Sequence, residues 1–261
     1  MDVDSYLRRI EYIGSLAPTA ETLQELHVAH LLTVPFENLS IHSGQPIVLD
    51  DAALFEKIVE RRRGGFCYEL NGLFAALLRT LGFDVVMLSA GVAKAEGGFS
   101  PDFDHMALLV TLEQRWLVDV GFGDSFREPL LLDKEGEQRQ QERAYRIVPE
   151  GNHLILMQRY NDDEWKAQYR FTLQIYDYAD YAAMCRYHQT SPDSHFMKGR
   201  ICTLLTTQGR ITLSDRRLIK TVSGSAREER MLTNEEEYTS LLREHFGIHE
   251  KVEQKVTALK D

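Results

Sequence analysis

Apolar residues recur with a helical period through the first eighty residues of the chain. A first helix is predicted to begin at a capping box formed by Thr22 and Glu25 and to end before Pro35. A second helix is predicted to begin at Asp50, a favourable N-cap residue type, and to stop at the two glycines at 64 and 65. The hydrophobic pattern therefore predicts a helical N-terminal region.

The strongest helical period in the chain begins near Cys67. Its apolar positions follow the spacing i, i+3, i+4, i+7, i+8 and i+11, and the residues are Leu70, Leu73, Phe74, Leu77, Leu78 and Leu81. Gly82 comes next, and glycine commonly follows the C-terminus of a helix. The pattern indicates an amphipathic helix that buries one broad face.

From Asp84 onward, short apolar runs and polar alternation replace the helical period, which is typical of strands. The predicted strands cover 84–93, 105–111, 115–120, 145–148, 153–160, 165–173, 201–206 and 210–213. The second and third of these runs are predicted to form one hairpin, and the last two another. The segment 177–189 is ambiguous, and 234–246 is predicted as a terminal helix that Gly247 ends.

The composition is that of a globular protein. Of the 261 residues, 43% are hydrophobic and 27% are charged, which excludes a disordered chain. The net charge of −10 argues against a nucleic-acid or anionic-membrane partner, because phosphate groups need a basic surface. Three cysteines without a CxxC motif provide neither a disulfide framework nor a four-ligand zinc site. With no membrane-length apolar run and no signal-peptide pattern, we expect a cytoplasmic protein without a metal.

Cys67 is the first candidate for chemistry, because it follows a glycine turn and opens the strongest predicted helix. The free N–H groups and the positive dipole end of a helix N-terminus stabilise a thiolate. We therefore expect the pKa of Cys67 to lie below the usual value of about 8.5 for a cysteine. The alternative is that Cys67 is an inert buried side chain, as most buried cysteines are.

A cysteine nucleophile needs a base, and His105 and Asp119 are the candidates for the base and its partner. Asp119 interrupts an apolar strand, where a buried carboxylate is costly unless it is paired. If 112–114 form a three-residue loop, Ala107 lies opposite Asp119, and His105 is a diagonal neighbour on the same face. A two-residue loop would place His105 and Asp119 on opposite faces of the hairpin. The triad hypothesis thus predicts an odd-length loop or a bulge.

At this point the chain resembles a known family, the arylamine N-acetyltransferases. Five segments carry the resemblance in order along the chain, namely 34–39 (VPFENL), 63–71 (RGGFCYELN), 104–105 (DH), 118–123 (VDVGFG) and 191–196 (SPDSHF). The resemblance implies an α+β fold in which a helical N-terminal domain is followed by a central antiparallel β-barrel and a C-terminal α/β lid. We place these domains at 1–83, 84–190 and 191–261.

The resemblance also implies a catalytic triad of Cys67, His105 and Asp119, arranged as in cysteine proteases, with the nucleophile on the helical domain. Members of this family transfer an acetyl group from acetyl-CoA to an arylamine or a hydrazine, which implies a two-step reaction through an acetyl-cysteine. Five aromatic residues are candidates for substrate binding because they lie in or beside the matching motifs, and they are Phe36, Tyr68, Phe103, Phe122 and Phe196. For Phe36 and Phe122 the alternative is core packing.

Glu37 and Arg63 are expected to form an ion pair that orders the loop before the nucleophile. Two other functions fit the same residues: a cysteine-dependent amidase or hydrolase with this triad, and a non-catalytic binder of CoA or an aromatic ligand. An acetyl-enzyme that an amine discharges distinguishes a transferase from both. The expected partners are small molecules, and the chain is expected to be a monomer or a homodimer.

Overall fold

The computed structural model describes residues 1–161, 163–222 and 227–249, so the last residues of the predicted lid, 250–261, lie outside it. The helices are α1 (Val3–Arg9), α2 (Ala20–Thr33), α3 (Leu39–Ser43), α4 (Asp51–Phe55), α5 (Cys67–Thr80), α6 (Ala182–Thr190) and α7 (Glu235–Phe246). A π-helical turn, Glu56–Glu60, continues α4, and 3₁₀ turns cover Tyr178–Tyr181 and His195–Met197. No helix in the described part of the chain is long and apolar enough to span a membrane.

Helix α2 begins earlier than the sequence predicts. Its N-cap is Thr19, whose hydroxyl accepts a hydrogen bond from the Thr22 N–H at 3.2 Å, so Thr22 already lies in the first turn. The predicted capping box of Thr22 and Glu25 is therefore wrong; Glu25 instead accepts a hydrogen bond from the Tyr12 hydroxyl. The predicted end before Pro35 is confirmed.

The helix that carries the candidate nucleophile begins at Cys67 as predicted. Its apolar residues pack against the strands Asp84–Val92 and His105–Thr111 and against the helices α1 and α4. Five of them are fully buried, namely Leu70, Leu73, Phe74, Leu77 and Leu78. Asp50 caps α4 by accepting hydrogen bonds from two backbone N–H groups, each at 3.1 Å. Burial of one broad face thus fixes the position of α5 and of the cysteine at its first residue.

Two antiparallel sheets contain the thirteen described strands. These are β1 (Phe36–Glu37), β2 (Asp84–Val92), β3 (His105–Thr111), β4 (Arg115–Val118), β5 (Leu130–Leu131), β6 (Gln138–Gln140), β7 (Arg143–Glu150), β8 (His153–Tyr160), β9 (Lys166–Tyr176), β10 (Ile201–Leu205), β11 (Gly209–Ser214), β12 (Arg217–Val222) and β13 (Glu228–Met231). The eight-stranded sheet has the order β5-β4-β3-β2-β9-β8-β7-β6, and the five-stranded sheet has the order β1-β10-β11-β12-β13.

The eight-stranded sheet is a nearly closed barrel. The side chain of Gln138, on β6, joins the two edges by accepting from the Leu131 N–H and donating to the Leu131 carbonyl, each at 2.9 Å. Tyr145, Leu156 and Tyr169 fill its interior together with Leu88 and Phe171 from β2 and β9. The expected α+β fold with an antiparallel barrel is confirmed, and the domain boundaries stay a prediction.

The five-stranded sheet packs against α7, and β1 connects it to the helical region. Asn234 caps α7 by accepting from the Glu237 N–H at 2.9 Å, and Gly247 ends it in the left-handed conformation with φ +65°. This confirms the predicted terminal helix. The strands β12 and β13 are absent from the sequence-based prediction because their pattern is charged, and all four residues of β13 are exposed.

Candidate active site

The hairpin of β3 and β4 has the register that the triad hypothesis requires. Thr111 pairs with Arg115 and Leu108 pairs with Val118, so residues 112–114 form the connection. This confirms the three-residue loop. His105 and Asp119 therefore share a face, and His105 Nε2 lies 2.7 Å from Asp119 Oδ2.

The Asp119 carboxylate is buried, and both of its oxygen atoms have hydrogen-bond partners. Its Oδ1 atom accepts hydrogen bonds from Asn71 Nδ2 and from the Gly121 N–H, each at 2.9 Å. Burial alone would raise the pKa of Asp119, but the nearby His105 and these hydrogen bonds hold it below its usual range. Asp119 is therefore an anion that orients His105.

Three residues that the sequence analysis did not single out surround this carboxylate. Asn71, one turn after Cys67 on α5, also accepts a hydrogen bond from the Val120 N–H at 2.9 Å. His27 lies 2.9 Å from the Arg127 carbonyl through Nδ1 and accepts from the Asp119 N–H at 3.3 Å through Nε2, and burial lowers its pKa to about 4. The ring of Tyr169 packs 5.1 Å from the ring of His105. In the sequence, the i, i+4 spacing of Cys67 and Asn71 places both side chains on one face of the helix and so indicates that Asn71 lies near the site.

Cys67 lies at the start of α5 with its side chain 2% exposed. Its sulfur lies near the backbone of Met106, the residue after His105 on β3. Burial raises the pKa of the Cys67 thiol well above its usual value, and the charges of Asp119 and Asp104 raise it further. This direction is opposite to the lowered pKa expected from the helix N-terminus, because burial and the charges of two carboxylates disfavour the thiolate.

Cys67 and His105 line one cavity of about 970 Å³. Three of the five predicted aromatic residues, Phe36, Phe122 and Phe196, line it with them. The rings of Phe36 and Phe196 are 6.1 Å apart, and the ring of Phe122 meets the ring of His105 edge-on at 5.1 Å. The cavity thus has an aromatic wall directly beside the candidate catalytic groups.

The other two predicted aromatic residues, Tyr68 and Phe103, are absent from the described residues that line this cavity. Tyr68 is fully buried, and its hydroxyl donates to the Phe103 carbonyl at 2.6 Å. The Phe103 ring packs against Tyr176 and Tyr181, with centroids 4.7 Å and 5.3 Å away. These contacts fix the backbone of the segment that leads into His105. Tyr68 and Phe103 therefore support the position of His105 and do not line the cavity themselves.

Gly121 permits the close approach of the barrel to the nucleophile helix. A Cβ atom at this position would lie 2.8 Å from Cys67 Cα and 2.8 Å from Asn71 Nδ2. Neither atom has room to move, because one is backbone and the other is bonded to Asp119. The glycine in the VDVGFG segment is therefore required by the distance between β4 and α5.

The predicted ion pair of Glu37 and Arg63 is confirmed, with 2.8 Å between Arg63 Nη2 and Glu37 Oε1. Both side chains are almost completely buried, and Glu37 also accepts from the Leu39 N–H at 2.6 Å. Burial alone would raise the pKa of Glu37, but the charges of Arg63 and Lys57 lower it. The resulting stabilisation is present above the unfolded-state pKa of about 4.3 and is lost as the pH falls through the lowered pKa.

Replacing Arg63 with alanine is expected to destabilise the fold by about 3–5 kcal/mol, because it leaves the buried Glu37 carboxylate without its main partner. Chemical denaturation measures this loss. Arg115→Ala is the matched control, since its pair with Asp133 is exposed and should contribute less than about 1 kcal/mol. Equal losses in the two variants would mean that the buried pair does not order the nucleophile loop.

Comparisons with known proteins define the class first: residues 19–256 match a family described as N-acetyltransferase. The arylamine N-acetyltransferase / N-hydroxyarylamine O-acetyltransferase of Salmonella typhimurium is 34% identical over 94% of this chain and 88% of its own length. The chain belongs to the arylamine N-acetyltransferase family, and it is therefore an acetyltransferase.

Solved structures agree with this assignment. The arylamine N-acetyltransferase of Mycobacterium marinum superposes with a TM-score of 0.89 at 34% identity, over 95% of this chain and 93% of that one. The same enzyme has been solved in complex with CoA, with a TM-score of 0.88, 34% identity and the same coverage. A Bacillus cereus relative, described as having a unique Cys-His-Glu catalytic triad, has a TM-score of 0.87 at 29% identity over 95% of this chain and 99% of its own.

Proposed function

We propose that this protein transfers the acetyl group of acetyl-CoA to the nitrogen of an arylamine or hydrazine through an acetyl-Cys67 intermediate. The observation that carries the proposal is the 2.7 Å contact of His105 with Asp119 at the cavity that Cys67 also lines. The CoA complex of the Mycobacterium marinum relative supports the choice of co-substrate. The triad is then Cys67, His105 and Asp119.

The geometry of His105 determines its role in the first step. Because Nε2 is bonded to Asp119, Nδ1 is the ring nitrogen that remains to accept the proton of the Cys67 thiol. The raised pKa of Cys67 makes this transfer necessary, and Asp119 stabilises the imidazolium that forms. Cys67 Sγ then attacks the thioester carbonyl, and the first-turn N–H groups of Cys67 and Tyr68 are donors for the oxyanion. The leaving CoA thiolate takes the proton back from His105.

In the second step His105 is a neutral base again. It removes a proton from the acceptor nitrogen as that nitrogen attacks the acetyl-cysteine, and the Cys67 thiolate leaves and is reprotonated by His105. An arylamine suits this step because it is neutral at physiological pH. The aromatic wall of Phe36, Phe122 and Phe196 would hold a flat ring and exclude water, which slows hydrolysis of the intermediate.

The same cavity has room for the co-substrate as well. Lys198 and Arg216, from the segment around β10 to β12, line it and supply positive charge suited to the phosphate groups of CoA. Tyr68 and Phe103 would then act as supports of the His105 segment rather than as substrate contacts. No group of three metal-ligating side chains is present among residues 1–161, 163–222 and 227–249.

The fate of the acetyl group with and without an amine distinguishes a transferase from a hydrolase and from a non-catalytic binder. Purified protein is acetylated with acetyl-CoA, separated from it, and then followed in buffer with and without 4-methoxyaniline. A transferase keeps its acetyl group in buffer and loses it rapidly to the amine, and steady-state kinetics show a ping-pong pattern. Equal loss in buffer alone would identify a hydrolase, and binding of CoA without any covalent acetyl group would identify a binder.

A further inference from the structure

A second carboxylate–imidazole pair lies at the edge of the proposed active site. Asp104 immediately precedes His105, its side chain is 11% exposed, and it lines the cavity with Cys67. Its Oδ1 atom lies 3.2 Å from His188 Nε2. The acetyl-transfer steps derived above use neither residue, so the pair has no role in the chemistry itself.

His188 holds Asp104 in place and is itself fixed from the other side. Its Nδ1 atom lies 3.0 Å from Ser194 Oγ, and its ring, which is 1% exposed, stacks on Tyr68 with centroids 6.0 Å apart. Burial alone would raise the pKa of Asp104, but the nearby His188, Ser100 and His195 side chains hold it below its usual range. Asp104 is therefore a fixed negative charge in the cavity wall.

The Asp104 charge lies in the wall of the cavity that Cys67 and His105 also line. Asp104 is the neighbour of His105 along the chain, and its charge is among those that raise the pKa of the Cys67 thiol. A group that enters the cavity to reach Cys67 therefore comes within the field of Asp104. In a partly buried site, two charges several ångströms apart interact much more strongly than they do in water.

We propose that Asp104 selects the acceptor by charge, disfavouring arylamines that carry a carboxylate and favouring neutral or cationic ones. This inference rests on the proposed function, because it concerns the acceptor of that reaction. Cationic residues of the same cavity oppose the effect, and they are Lys198, Arg200, Arg216 and Arg217. All four follow His195 in the chain, whereas Asp104 directly precedes His105, the proposed base for the acceptor.

The test uses three flat anilines of nearly equal shape and different charge: 4-aminobenzoate, 4-aminobenzamide and 4-aminobenzamidine. The value of kcat/KM is measured for each with wild type, Asp104→Asn and Asp104→Ser. In both variants, kcat/KM for 4-aminobenzoate divided by kcat/KM for 4-aminobenzamide is expected to rise by about tenfold. The same quotient for 4-aminobenzamidine over 4-aminobenzamide is expected to fall. Ratios remove any uniform effect on Cys67 or on the fraction of folded protein.

Asp102→Asn is the matched control, since Asp102 is an exposed acid in the same loop and is expected to leave both ratios unchanged. Unchanged ratios in both Asp104 variants would overturn the inference, and so would an equal change in Asp102→Asn. Failure of the proposed function has a different signature, because wild type would then acetylate none of the three anilines.

Discussion

Replacing Cys67 with serine is expected to reduce acetyl transfer by about 10⁴-fold or more while the fold stays intact. Serine has nearly the same size, and the side chain is only 2% exposed, so packing around it changes little. A hydroxyl is far more difficult to deprotonate than a thiol, and His105, which lines the same cavity, is the base proposed to take the proton. The loss is measured as kcat/KM for an arylamine, with circular dichroism to verify the fold.

Cys185→Ser is the control for this variant. Cys185 is also buried, its pKa is raised to about 12 by burial, and its sulfur accepts a hydrogen bond from Gln189 Nε2 that a hydroxyl can also accept. It is absent from the described residues that line the active cavity, so we expect the variant to stay active. Turnover that survived in Cys67→Ser would remove the nucleophile assignment.

Replacing Asp119 with asparagine is expected to lower kcat by about 10⁴-fold, the second of the two largest effects. The asparagine oxygen would take the place that accepts from Asn71 and Gly121, which leaves its NH₂ group facing His105 Nε2. His105 would then carry its proton on Nδ1 and have no free nitrogen to accept the proton of Cys67. The substitution thus changes the tautomer of His105 and leaves the positions of Cys67 and His105 unchanged.

The rate of Cys67 alkylation by iodoacetamide measures this effect separately from turnover. Alkylation and kcat should fall together in Asp119→Asn, because both depend on transfer of the thiol proton to His105. Asp133→Asn provides the comparison, since Asp133 forms an exposed pair with Arg115. If alkylation of Asp119→Asn kept the wild-type rate, Asp119 would be a structural residue only.

The central relation of the site could be predicted from the sequence only as a condition on strand register. The interrupted apolar strand indicated that Asp119 needs a partner, and His105 could lie on the same face only if the hairpin loop had an odd length. The three residues 112–114 meet that condition in the structure. The start of α5 at Cys67 could likewise be predicted from periodicity alone. Local patterns thus determine each half of the site.

The rest of the site depends on contacts between distant segments, which no local pattern contains. The pKa of Cys67 rises because the barrel covers the helix N-terminus and brings Asp119 and Asp104 near the sulfur. His27 supports the backbone of Asp119 across 92 residues of sequence. Tyr68 lies directly after the nucleophile but turns into the core, because its hydroxyl reaches the Phe103 carbonyl.

Intact-protein mass spectrometry after mixing the chain with acetyl-CoA tests the central claim most directly. We expect one added acetyl group on the wild-type chain, mapped to Cys67, absent from Cys67→Ser and removed when an aromatic amine is added. Formation of acetylated amine by a chain that never carries an acetyl group, or an acetyl group on another residue that the amine removes, would contradict it.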